Sequence, residues 1–288
     1  MKKTIVRIAL ILMVGLSASA QESTAKLKNK KSNKMEISNK QKVVALLKSI
    51  ETGDATPVGY INPNKYIQHN LGVADGLAGF GALLSQLPPN SAKVNTVRAF
   101  EDGNFVFTHT DYNFFGPKIG FDIFRFEDGK IVEHWDNLQE TAKPNPSGHT
   151  MIDGATATKD LDKTEANKTL VRNFVDDILV NGKMDKLAGY FDGNNYIQHN
   201  PNIPDQLSGL GVTLEALGKQ GIFLKYDKIH QVLGEGNFVL VVSEGHFGKD
   251  YDAFYDLFRV DNGKIAEHWD VIEPIAPKEN WKNNNGKF

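Results

Sequence analysis

Apolar positions along this chain fall into two periods, and the whole succession of periods occurs twice. Val43, Leu46, Leu47 and Ile50 stand at i, i+3, i+4 and i+7, which predicts one buried helical face. Ser38 and Gln41 just ahead of them predict a capping box. Leu77, Phe80, Leu84 and Leu87 predict a second helix. The period then shortens to two. Aromatic and β-branched residues alternate with polar ones and are broken at Asp102-Gly103 and Asp128-Gly129, a pattern of antiparallel strands joined by tight turns. The second half repeats this order. Val171, Phe174, Val175, Ile178 and Leu179 come first, then Leu207, Leu210, Leu214 and Leu217, then strands broken at Gly236-Asn237 and Asn262-Gly263.

Identities mark the same repeat. Tyr66-Ile67-Gln68-His69-Asn70 returns letter for letter as Tyr196-Ile197-Gln198-His199-Asn200, and Gly129-Lys130-Ile131-Val132-Glu133-His134-Trp135-Asp136 returns as Gly263-Lys264-Ile265-Ala266-Glu267-His268-Trp269-Asp270. An internal duplication predicts an α+β fold of two tandem domains, each with helices packed on a curved, mostly antiparallel sheet. The expected boundaries are a first domain at 38–140, a linker at 141–163, a second domain at 164–276 and a polar tail at 277–288.

Residues 1–20 read differently. Lys2, Lys3 and Arg7 precede an apolar run from Ile8 to Leu16, and Ala18-Ser19-Ala20 supplies a small-residue cleavage pattern. This is the form of a secretory signal peptide, and the run is too short to span a bilayer. A periplasmic or secreted protein is expected, with no membrane span after cleavage near Ala20. The Lys-rich stretch 21–37 reads as a polar tether. Composition narrows the chemistry further. The 33 Lys+Arg against 35 Asp+Glu leave no basic excess for a nucleic-acid partner. The absence of Cys excludes disulfides, thiolate metal sites and cysteine nucleophiles.

The two Tyr-Ile-Gln-His-Asn copies, with Asp122-Ile123-Phe124-Arg125 and Asp256-Leu257-Phe258-Arg259 leading into the two Glu-His-Trp-Asp segments, resemble the SnoaL-like polyketide cyclase family. The resemblance implies two cone-shaped domains of the nuclear-transport-factor-2-like type. It also implies a cofactor-independent aldol condensation, isomerisation or dehydration of a small hydrophobic carbonyl compound, with neither cofactor nor metal. Proteins resembling this family pair through the open sheet face. Two copies on one chain are therefore expected to form an intrachain pseudo-dimer and a monomeric protein.

The expected chemistry centres on the last hairpin of each repeat. With Glu127-Asp128-Gly129 as a three-residue loop, Phe126 pairs with Lys130 and Asp122 lies opposite His134. That register gathers Asp122, Phe124, Val132, His134 and Asp136 on one face. Asp256, Phe258, Ala266, His268 and Asp270 gather likewise in the second repeat. A carboxylate removes a proton beside a carbonyl only where an apolar pocket raises its proton affinity and a donor holds the oxyanion. Asp122 and Asp256 are the expected bases and His134 and His268 the donors or relays. Tyr66, His69, His109 and Asp136 are expected to contact the ligand in the first repeat, and Tyr196, His199, His246 and Asp270 in the second. Trp135 and Trp269 are expected in the core. His109 aligns with Val242, so the two pockets differ, and which of them works stays open. A non-catalytic binding or scaffold module of the same fold is the alternative function.

Overall fold

In each repeat, one helix–strand–helix–meander unit builds one five-stranded sheet. The computed structural model describes residues 37–88 and 90–288; the expected leader at 1–20 and nearly all of the 21–37 tether lie outside the described residues. The first repeat comprises α1 (Asn39–Thr52), β1 (Ile67–Gln68), α2 (Gly76–Leu84), β2 (Lys93–Asp102), β3 (Phe105–Asn113), β4 (Pro117–Glu127) and β5 (Lys130–Glu140). The second comprises α3 (Thr164–Phe174), prolonged by a π-turn over Val175–Val180, then β6 (Ile197–Gln198), α4 (Leu207–Lys219), β7 (Leu224–Glu235), β8 (Phe238–Phe247), β9 (Asp250–Asp261) and β10 (Lys264–Pro274). The sheet orders are β1-β5-β4-β3-β2 and β6-β10-β9-β8-β7. Only the two-residue strands carrying the Tyr-Ile-Gln-His-Asn motif run parallel to their neighbours. The capping box forms as expected: Ser38 Oγ accepts from the Gln41 amide, and Gln41 Oε1 accepts from the Ser38 amide.

Alternation along the strands sets the layers. On β4, Ile119, Phe121 and Ile123 join a core shared with Tyr255 and Leu257 of β9, and with Trp135 and Trp269. Phe124 and Phe126 face the other way, towards α1 and α2. Phe258 and Val260 likewise face α3. The order is therefore helices, sheet, sheet, helices. The central strands are buried on both faces, which explains their nearly continuous apolar runs. Polar side chains stitch the two sheets as well. Asn137 donates its amide to the carbonyls of Ala253 and Val271 (2.9 and 2.7 Å), and Gln139 accepts from the Ile272 amide.

The last hairpins correct the expected turn. Glu127 pairs with Lys130, so the loop is the two-residue Asp128-Gly129, and both residues have positive φ (48° and 72°). This is a type I′ geometry that suits the strand twist. The extra residue needed to shift the register sits instead in a β-bulge. Phe126 faces Ile131 while Arg125 faces Glu133, leaving Val132 unmatched. Asp122 consequently lies opposite Asp136, and Phe124 opposite His134. Ile131, not Val132, joins the helix-side cluster. The second repeat has the same bulge at Ala266, with Asp256 opposite Asp270 and Phe258 opposite His268. Arg125 and Arg259 grip Glu133 and Glu267 across the hairpins, each at 2.6 Å.

The linker and the tail are straps, a role that their polar composition hid. Asn145 of the linker donates to the carbonyls of Gln198 and Ile203. Asn283 of the tail donates to those of Asn70 and Val73 in the first repeat. Each strap passes over the motif histidine, through Thr150 O on His199 and Gly286 O on His69 (both 2.9 Å). Farther along the linker, Arg98 is 2% exposed and donates to the carbonyls of Ile152, Asp153 and Ala155. Its guanidinium lies 4.3 Å over the Trp269 ring, and burial lowers its pKa to about 10.

Gly154 shows how tight the linker's fit is. It holds φ +89°, and a Cβ there would lie 2.2 Å from Glu267 Oε1 and 2.9 Å from both His199 Nε2 and Trp269 Cζ2. Glu267 has no freedom to yield, being pinned by His199 and Arg259. Gly154→Ala is expected to cost about 3 kcal/mol, read as a lower midpoint in denaturant with the slope unchanged.

Candidate active site

Each repeat encloses a cavity between its sheet and helices, and the two cavities differ greatly in size. The second has a volume of about 370 Å³, the first about 60 Å³. Only the larger falls in the range of small-molecule sites. The reason lies in the walls. Phe80 and Leu83 of the first repeat fill space where Leu210 and Thr213 stand in the second. The covering helices also differ, α2 having 9 residues and α4 13. Gln139 of the first repeat completes the wall of the second cavity.

On the floor of the second cavity, β9 and β10 present Asp256, His268 and Asp270 side by side. His268 Nε2 lies 3.0 Å from Asp256 Oδ1, and its Nδ1 lies 2.9 Å from Gln198 Oε1. That amide oxygen also accepts from the backbone amides of His199 and Asn200. Gln198 therefore presents its oxygen, and His268 Nδ1 must carry a hydrogen. Tyr226 donates its hydroxyl to Asp256 Oδ2 at 2.9 Å. Both oxygens of Asp256 are thus engaged. Asp270 differs: Asn200 holds its Oδ2 at 2.7 Å, while its Oδ1 is buried without a partner.

These surroundings set proton affinities. The Asp270 carboxyl is raised above its ordinary value, first by burial and then by the charge of Asp256, against the lowering effects of His268 and the Asn200 bond. For His268, burial opposes the charged ring. The bond to Asp256 and the charges of Asp270 and Asp256 outweigh it, and its pKa is raised. Tyr196 is held well above the phenol range by burial and by Asp270 and Asp256, so it stays a neutral hydroxyl. It accepts from Gln198 Nε2 at 3.3 Å, which leaves its own hydrogen to be donated into the cavity.

The first repeat has the same groups in a much smaller space. His134 Nε2 lies 3.2 Å from Asp122 Oδ1, His134 Nδ1 3.0 Å from Gln68 Oε1, and Asn70 donates to Asp136 at 2.7 Å. The phenol on Asp122 comes from another strand. Tyr112 of β3 donates to it at 2.6 Å, opposite Val94 of β2, whereas Tyr226 of β7 stands opposite Gly245 of β8. Neither tyrosine was among the expected site residues. Gly120 makes room for the Tyr112 ring: a Cβ there would lie 3.2 Å from it and 2.4 Å from Leu138.

Four expected ligand contacts lie elsewhere. His69 and His199 project from the opposite face of their strand. They stack on Trp135 and Trp269 (4.7 and 4.6 Å) and pair with Glu133 and Glu267. His109 sits between the sheets, stacked on Phe121 and bonded to Arg98, and burial drives its pKa well below the imidazole range. His246 is exposed beside the rim and pairs with Asp227. Asp122, His134, Asp136 and Tyr66 line the small cavity; Asp256, His268, Asp270 and Tyr196 line the large one.

Asp256, His268 and Asp270 each offer a ligand atom within 4.8 Å of the others, as do Asp122, His134 and Asp136. Asp256 and His268 are already bonded to each other and to Tyr226 and Gln198, which leaves Asp270 Oδ1 as the unpartnered carboxylate oxygen of the cluster. A third group, His149, Asp153 and His199, lies at the linker strap.

No family model matches the chain, and no curated protein matches it. Among solved structures, it is similar in part to TsrD from Streptomyces laurentii, with 18% identity over 36% of this chain and 92% of that one, at a TM-score of 0.31. An NTF2-like protein of unknown function from Cytophaga hutchinsonii shares 17% identity over 37% of this chain and 94% of its own, at 0.32. An LEH-like epoxide hydrolase from M. tuberculosis shares 18% over 35% and 81%, at 0.31. What the chain has in common with each is confined to about a third of its own length.

Proposed function

We propose that the second repeat is an acid–base catalyst that removes a proton next to a carbonyl of an apolar substrate, and that the first repeat is its closed structural partner. The observation that carries this reading is the pairing of a 370 Å³ apolar-walled cavity with the unpartnered Oδ1 of Asp270 on its floor. Asp270 takes the α-proton, and the electron pair of the broken C–H bond moves into an enolate. The enolate oxygen accepts the free Tyr196 hydroxyl hydrogen. Asp270 then returns the proton to carbon, while the charged His268 ring, held by Gln198 and Asp256, offsets the negative charge on the floor. Asp256 is a positioning residue here, which reassigns the base from the first aspartate of each motif to the last. The outcome, whether isomerisation, aldol condensation or dehydration, depends on what the enolate meets. An exported enzyme is part of the proposal on the strength of the 1–20 leader pattern.

The substrate need not be known for a test. Proton NMR in D2O reads protein-catalysed exchange of the α-hydrogens of an apolar methyl ketone. Exchange above the buffer rate is expected; a ketone that binds without exchanging would make the protein a binding module. The pH profile carries its own sign. Activity should rise as Asp270 ionises, above the ordinary carboxylate range. It should fall again as His268 loses its proton, above the ordinary imidazole range.

A further inference from the structure

Apart from the His268 ring on its floor, the larger cavity is charged in one sense only. Asp250, Asp252, Asp256 and Asp270 line it, with no Lys or Arg among the described lining residues. Asp256 and Asp270 belong to the catalytic floor, but Asp252 does not. It shares the cavity face of β9 with Asp256 and stands four residues away, ~13 Å along the strand at ~3.3 Å per residue. Its side chain is 2% exposed, yet its one hydrogen bond among the described residues is from the Phe247 amide, at 3.2 Å. A carboxylate can accept about four. Burial raises its proton affinity, with Asp250 adding to the rise. The nearest basic ring, His246, is engaged with Asp227 at 3.3 Å. A carboxylate with a single hydrogen bond, set in the lining of an apolar cavity, has acceptor capacity left for a cationic partner.

The duplicated copy sharpens the point. Asp252 pairs with Pro274 as Lys118 pairs with Glu140, so the first repeat carries a cation where the second carries an acid. The carboxylate occurs only in the repeat whose cavity is open.

We propose that the second cavity takes an elongated apolar carbonyl compound bearing a cationic amine at the end remote from the carbonyl, and that Asp252 receives the ammonium group. The inference rests on the reading that Asp270 and its neighbours receive the carbonyl end, and it deepens that reading by naming the substrate class. The four carboxylates turn away carboxylate- or phosphate-bearing analogues of the same shape. The ammonium gains a charge-assisted bond in a partly desolvated site, where such bonds exceed those between neutral groups.

The test is calorimetric titration of the full chain at neutral pH with methyl octyl ketone, its ω-amino derivative and the matching ω-carboxylate. The amine should bind about tenfold tighter than the neutral ketone, and the carboxylate weakest. Asp252→Asn should bring the amine level with the neutral ketone and leave the neutral ketone's affinity unchanged. An amine preference that survives Asp252→Asn, a carboxylate that binds as well as the amine, or no binding of any of the three would overturn the proposal. The two readings fail separately. Amine preference without α-exchange leaves the substrate class standing and removes the catalysis, whereas exchange of the neutral ketone without amine preference does the reverse.

Discussion

Replacing Asp270 by Asn should lower α-proton exchange of a bound ketone by about 10²–10⁴-fold, the range a positioned general base contributes. Asp136→Asn, its counterpart above the closed cavity, should leave exchange unchanged. Asp270→Asn should also be more stable than the parent chain. Asp270 has its folded-state pKa raised above the ordinary 3.8, so the folded chain holds this proton more tightly than the unfolded chain does. The stability this gives is fully present below the unfolded value and lost as pH rises through the folded one. Asn200 can still donate to the new amide oxygen, and the amide nitrogen that replaces the unpartnered oxygen carries no charge to desolvate. Asp270→Asn should therefore gain about 1 kcal/mol at neutral pH, a rise of about 2–4 °C in Tm, and the gain should vanish in acid. A variant both less active and more stable is the mark of a group held for chemistry and not for folding.

A loss of stability as large as that at Gly154 is expected at Arg98. Its guanidinium satisfies three linker carbonyls and covers Trp269. Arg98→Met keeps the stem but strands those acceptors, at about 1–3 kcal/mol for each that water cannot reach. A total near 3 kcal/mol lowers Tm by about 10 °C in a unit of this size. Because the linker segment it binds lies over His199 and Trp269, the loss should appear as one cooperative transition and not as the melting of one domain. Calorimetry that resolved two transitions in the variant would contradict the shared core.

The repeats made most of this architecture legible. Helical faces at Val43–Ile50 and Val171–Leu179 and alternation in β4 and β9 are local periods, and local periods are what a sequence displays directly. The cavity-facing side of each last hairpin was also legible, though for the wrong reason. One extra residue was required to bring Asp122 and His134 to the same side. The turn Asp128-Gly129 invited placing it in the loop, but the chain places it at Val132, where a bulge has no distinctive letter. The tyrosine on each aspartate was hidden because Tyr112 and Tyr226 come from different strands and do not align. The straps were hidden because Asn145 and Asn283 bind distant backbone carbonyls, which leave no trace in composition. Cavity size was least legible of all. Phe80 against Leu210 and Leu83 against Thr213 look like ordinary variation on a helical stripe, yet they line cavities of about 60 and 370 Å³.

That last contrast gives the most direct test of the whole account. Leu210→Phe combined with Thr213→Leu writes the first repeat's wall into the second without touching Asp256, His268, Asp270 or their hydrogen-bond partners. Calorimetric titration of the parent chain with methyl octyl ketone should give one site per chain, and the double variant should show none while keeping its fold by circular dichroism. Two equivalent sites in the parent, or undiminished binding in the filled variant, would contradict an open second cavity beside a closed first one.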